Sequence, residues 1–468
     1  MRVRRRVLPL VVAALAVLAI PSSAHAIGLT NLSAAPVDDQ AGAHSNFNIH
    51  MEFTGGQVRD LTVGLPPGMS GDPTATPKCT VAQLNAASCP ANTVVGGVEA
   101  VANILSLPLP ITVTGSLFNL VEQAGEPARF GIVLNPPVGD PIILQSAVQL
   151  RQTDFGLNTI IVNIPNSTVL SGDTTIVSQD ITLYGIAPGT GRPFARNPTS
   201  CTPKTTTFSA VPYSGATGTG QASFLPTGCD QLDFSPTFSA RAGAPGLTAQ
   251  GSLVPVTTVI EQDVGEAGLL TASVLTPTDF GANFAELSDS CPLADFETDS
   301  CSPSTQVGSA LATSPLLTAP LTGPVRLLAD PGGGLPSIGL DLKGPLALKL
   351  TGSLAIDNRV TFDGLPDIPI GHFELRFTGG PGGLLFANRD LCQAPPPNFT
   401  GTFTSHAGPP TVPFAQAATI EGCGPSSKKA ANKCKAKKKR KKGKKSEATT
   451  SAKKKAKKKC KRKKKKKR

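Results

Sequence analysis

The stretch Leu144-Gln145-Ser146-Ala147-Val148-Gln149-Leu150 sets Leu144, Ser146, Val148 and Leu150 on one side and two glutamines on the other. That period of two belongs to an extended strand with one wet face. Phe373-Glu374-Leu375-Arg376-Phe377 repeats it in the second half. Further runs of β-forming residues lie at Phe47 to Phe53, Leu61 to Leu65, Phe130 to Leu134, Ile142 to Leu150, Thr159 to Ile164 and Asp180 to Tyr184, separated by Pro and Gly steps that read as turns. With 47 Gly and 43 Pro in 468 residues, long helices are disfavoured, while 40% apolar residues and 20 Phe are enough for a core. The pattern predicts an all-β chain of sandwich-like units, jelly-roll or Ig-like; a barrel is also compatible.

The sequence resembles itself. Cys79 and Cys89 map onto Cys291 and Cys301, Val95-Gly96 onto Val307-Gly308, and Thr114-Gly115, Gly131 and Gly156 onto Thr322-Gly323, Gly339 and Gly364, in unbroken order. Cys201 and Cys229 then meet Cys392 and Cys423. A colinear series of this length predicts two homologous units, 27–235 and 236–425.

Ahead of them, Arg2, Arg4, Arg5 and Arg6 precede an apolar run from Val7 to Ile20 and the triplet Ala24-His25-Ala26. This is the pattern of a secretory signal peptide over 1–26, with no transmembrane span once it is removed. Export implies an oxidising compartment, where cysteines pair. Duplication leaves three connectivities per unit, and proximity favours Cys79–Cys89, Cys201–Cys229, Cys291–Cys301 and Cys392–Cys423. A continuous helix over ten steps would part Cys79 from Cys89 by ~15 Å, so one helical turn after Thr80 or Pro292 must fold back. Cys434 and Cys460 have no place in the repeat.

The segment LTVGLPPGMSGDP from Leu61 to Pro73, the step Asn197-Pro198-Thr199-Ser200-Cys201 and the Lys-rich end together resemble uncharacterised exported, duplicated β-domain proteins of high-GC Gram-positive (actinobacterial) bacteria. The resemblance implies location and fold and carries no activity.

Catalytic motifs are not found in the sequence. Leu335-Pro336-Ser337-Ile338-Gly339 lacks the first Gly of a nucleophile elbow. After the signal only His44, His50, His372 and His406 remain, without metal-ligand spacing. Asp154-Phe155-Gly156 and Asp279-Phe280-Gly281 read as turns, Gly218-Thr219-Gly220 as a loop, and Asp295, Glu297 and Asp299 as a solvated acidic loop rather than a Ca²⁺ site. No catalytic residue, cofactor or metal is expected. A carbohydrate-active enzyme with two acids in one β unit is the rival reading; the absence of Trp and the presence of only two Tyr weaken it.

Charge is the strongest functional signal. Residues 428–468 hold 26 of the 44 Lys and Arg and one of the 32 acids, Glu447; the leader holds four Arg, leaving 14 basic against 31 acidic residues between. The end segment 426–468 contains no aliphatic residue larger than Ala, so it is expected to be disordered and to span ~35 Å as a coil. Its expected polyanion-binding residues are Lys437, Lys438, Lys439, Arg440, Lys441, Lys442, Lys453, Lys454, Lys455, Lys457, Lys458, Lys459, Lys461, Arg462, Lys463, Lys464, Lys465, Lys466, Lys467 and Arg468. An exported polycation meets anionic envelope polymers and anionic lipid headgroups first; nucleic acid would be bound without sequence preference. The expectation is a secreted, non-enzymatic envelope protein held at the cell surface by charge. Folding of the end segment back onto the acidic body is the competing outcome.

Overall fold

The computed structural model describes residues 26–424 apart from 105–108, 138, 169–171, 284 and 286–288; the expected leader and the basic end segment, with the residues expected to bind polyanions, lie outside the described residues. The chain is all-β. In the first half the long strands are β1 (Gly28–Pro36), β2 (Phe47–Thr54), β3 (Val58–Gly64), β4 (Val94–Ile104), β5 (Ile111–Asn119), β6 (Arg129–Asn135), β7 (Ile142–Leu150), β8 (Leu157–Ile161), β9 (Gly172–Leu183), β10 (Lys204–Pro212) and β11 (Gly218–Phe224). In the second they are β12 (Thr237–Ala242), β13 (Val256–Glu261), β14 (Leu269–Leu275), β15 (Gln306–Thr313), β16 (Leu321–Leu328), β17 (Ser337–Lys343), β18 (Ala347–Leu354), β19 (Arg359–Phe362), β20 (His372–Phe377), β21 (Asn398–Ser405) and β22 (Gly408–Ala417).

The first sheet runs β1-β2-β9-β4-β5-β6-β7-β8-β3-β10-β11, and the second runs β12-β13-β20-β15-β16-β17-β18-β19-β14-β21-β22. The second order is the first with every strand advanced by eleven. Each sheet is rolled until its edges meet. Ile27 N donates to Ala216 O at 3.1 Å, and Leu32 of β1 lies where a side chain on Gly220 of β11 would be. In the second sheet Phe238 of β12 stacks on Phe414 of β22 with centroids 4.5 Å apart, and the next residues, Thr419 and Ile420, pair in parallel with Arg241 and Ala242. Opposite walls thus face one another across a shared core, the sandwich-like arrangement.

Alternation supplies the walls. Phe47, Ile49, Met51 and Phe53 point inward from β2, and Ser146 and Val148 are buried on β7 while Gln149 is exposed. Strands β6 and β17 break the pattern, with five consecutive buried residues each. Their outer faces are covered too. Helix α1 (Val81–Asn85), capped by Thr80 and Gln83, packs Leu84 with Leu120 and Val133, and helix α2 (Leu293–Glu297) packs Phe296 with Leu328. The cystines Cys79–Cys89 and Cys291–Cys301 close these caps, with Cα atoms 5.4 and 5.5 Å apart. Cys201–Cys229 and Cys392–Cys423 complete the set.

Glycines matter where backbones touch. A Cβ on Gly115 would lie 2.1 Å from Val133 O, and one on Gly323 would lie 1.7 Å from Asp341 O. Three sequence readings need correction. Gly218-Thr219-Gly220, expected as a loop, opens β11, because its backbone pairs with Phe208, Ser209 and Ala210 of β10. The strand expected to reach Ile164 stops at Ile161, because Asn163 turns to φ 56° and its N–H goes to the Asp60 carboxylate. Phe280 opens a short strand, Phe280–Ala282, instead of sitting in a turn, because Gly281 pairs with Phe386.

Gly323→Ala should destabilise the fold by about 1–3 kcal/mol, since the added methyl meets backbone that can yield only by breaking the β16–β17 ladder. The expected outcome is a lower urea midpoint with an unchanged slope.

Candidate functional site

The Leu61–Pro73 segment and the Asn197–Cys201 step come together in space: Ser70 pairs with Arg196, and a Cβ on Gly68 would lie 2.9 Å from the Pro198 side chain. After β3 the chain passes Pro66 and Pro67 to Gly68, whose φ of 87° leaves no room for a side chain: a Cβ there would be 2.5 Å from Asp367 Oδ2. The Asn197 to Cys201 step arrives from the other side. Thr199 N donates to Asp367 Oδ2 at 2.9 Å, and Thr199 Oγ1 donates to Asp367 Oδ1 at 2.5 Å while accepting from Gly268 N at 3.0 Å. Asp367 belongs to the second unit, follows β19 and is only 6% exposed. The junction between the rolled sheets is therefore hydrogen-bonded, not merely packed.

Charges balance around it. Arg196 is buried and donates through Nη2 to Glu266 O at 2.8 Å. Burial lowers its pKa, and the nearby Asp367 charge opposes that; Lys204 at the start of β10 is lowered and opposed in the same way. The Glu266 carboxylate accepts from Ser235 Oγ. Apolar contacts surround this polar centre: Leu150, Phe155 and Phe234 pack against the second core, and Gln152 Nε2 donates to Ala347 O at 2.9 Å. At the equivalent step of the second unit, Asn388 to Cys392, Arg389 pairs instead with Asp279 inside its own unit. The junction is one-sided.

The remaining residues weighed from the sequence are dispersed. His44 Nδ1 meets Ala195 O at 2.8 Å and His50 Nδ1 meets Asp180 at 2.7 Å, so the two histidines serve different partners. Asp154 pairs with Arg151 in a turn. Asp299 is held by Lys343 at 2.8 Å and Lys349 at 2.6 Å; their hydrogen bonds keep its pKa at about 2. Lys349 also lies 5.3 Å above the Phe296 ring, so this acidic loop fastens the α2 cap to β17 and β18. Among the described residues no group of three or more His, Cys, Asp or Glu is placed to hold a metal ion, and no helix is long and apolar enough to cross a membrane. The sequence names Thr199 within a motif but gives no sign of Asp367, because the two are 168 residues apart.

No family model and no curated protein matches the chain. Among solved structures, one from Corynebacterium diphtheriae assigned as a membrane anchored protein is similar at 10% identity, over 84% of this chain and 92% of that one, with a TM-score of 0.19. The C-terminal domain of the Streptococcus pyogenes antigen I/II-family protein AspA is similar at 8% identity, over 82% and 98%, with a TM-score of 0.18. Similarity this low bears no argument about what the chain does.

Two outcomes follow from the site. Asp367→Ala leaves Arg196 and Lys204 without their buried counter-charge and should cost about 3–5 kcal/mol, splitting one denaturant transition into two as the units uncouple. For Asp299 the folded pKa lies below the unfolded value near 4, so its stabilisation is present above pH 4 and is lost as pH falls toward 2. The Asp299 side chain is half-exposed, so the amount is under about 1 kcal/mol, and Asp299→Asn should flatten the pH dependence of the urea midpoint in that window by this much.

Proposed function

We propose that this chain is a secreted, non-enzymatic cell-envelope protein of two duplicated units, 27–235 and 236–425, kept at the surface by its polycationic end segment. The observation that carries the reading is the charge asymmetry: 26 cations in 428–468 against a body with 31 acids and 14 bases. Lysines supply point charges without stacking partners, which suits anionic envelope polymers or lipid headgroups read by charge density. The Cys392–Cys423 cystine supports this by tying the chain to the fold immediately before the basic segment. Three buried carboxylates have structural duties: Asp367 accepts from Thr199, Glu266 from Ser235, and Asp341 pairs with Lys343. None of them speaks for the rival enzyme.

The test compares the full chain with a variant lacking 428–468 on purified envelope fractions and on anionic-lipid vesicles. The full chain should bind both at low salt and elute near 1 M, where the Debye length is about 3 Å. The truncated protein should stay folded and remain unbound. Equal retention of the two proteins would refute the reading.

A further inference from the structure

The second rolled sheet encloses an apolar cavity of about 90 Å³. A buried water needs roughly 10–15 Å³, so the space admits about six heavy atoms. Leu342, Leu375 and Phe399 form its wall, and the half-buried Leu317 and Ile370 stand at its rim. The first unit shows how it arises. Phe47 of β2 lies opposite Leu183, which lies opposite Gly96; Val256 of β13 lies opposite Phe377, which lies opposite Gly308. In this register Phe47, Ile49, Met51 and Phe53 correspond to Val256, Thr258, Ile260 and Gln262, and all four of the latter line the cavity. Larger residues on β20, Phe373 for Gln179 and Phe377 for Leu183, restore part of the lost volume.

One cavity residue is polar and incomplete. Gln262 is 8% exposed, and its Nε2 donates to Ala267 O at 2.5 Å, which fixes the amide so that Oε1 is the acceptor. That Oε1 is buried and has no hydrogen-bond partner among the described residues. Gln262 N donates to Gly371 O at 3.4 Å, beside Ile370, which places the residue near the rim. A buried acceptor without a donor is costly, and an apolar cavity of this size accepts apolar molecules. We propose that the cavity binds a small amphiphile, an aliphatic chain of about six heavy atoms lying inward with one hydrogen-bond donor at Gln262.

The full-length protein is titrated with 1-pentanol and with its isomer 1-methoxybutane, which lacks the donor, by saturation-transfer NMR. Pentanol should bind saturably and about tenfold more tightly than the ether. Val256→Phe, which installs the residue that the first unit carries there, should weaken pentanol binding by at least about tenfold. Gln262→Met should make the two probes equal. Should Val256→Phe fail to fold, Ala312→Leu fills the same cavity from β15. Non-saturable binding of pentanol, binding unchanged in the filled variant, or ether bound as tightly as alcohol would each overturn the proposal.

Discussion

Every sheet has two edges, and each edge carries backbone N–H and C=O groups that must find partners or water. In both units the roll brings those edges together. The Ile27–Ala216 hydrogen bond begins the seam of the first sheet, and the Phe238–Phe414 stack with the Thr419–Ile420 pairing closes the second. Closure also makes the inward face of every strand part of one core. Phe280, Phe399 and Phe403 gather behind the second seam, the first two with ring centroids 5.9 Å apart. The caps, the cystines and the junction are arranged around these two rolls.

Much of this was legible because local chemistry announces it. Period-two alternation at Leu144–Leu150 and Phe373–Phe377 gave strands, the spacing of eight cysteines gave the four cystines that the structure contains, and Thr80 gave a short helix start. The alternation cannot say whether the two ends of a sheet meet, since that depends on accumulated twist and on packing between residues some 200 positions apart. Strand β6 was readable as the apolar run Phe130 to Leu134, while β17, interrupted by Asp341, was not; only the caps above them explain why both faces are covered.

The junction was hidden for a different reason. Thr199 and Gly68 sit in conspicuous motifs, but their significance comes from a single carboxylate in the other unit, Asp367, whose surrounding sequence is ordinary. Buried polar contacts of this kind are weak contributors to net stability and strong determinants of geometry, because a misplaced donor leaves a charge unpaired. Apolar contacts from Leu150 and Phe155 allow several relative placements of two surfaces; the Thr199–Asp367 bonds allow one.

The Cys392–Cys423 bridge has a mechanical consequence. Were the basic end gripped outside the cell while the body was dragged by flow, tension would enter the fold at Cys423 and pass through sulfur to Cys392, ahead of β21. The final hairpin, β21 and β22, lies inside that covalent loop and would be bypassed. Peeling of the sheet from its last strand is the cheapest way to tear a rolled sheet open, and the cystine denies the pulling force that route.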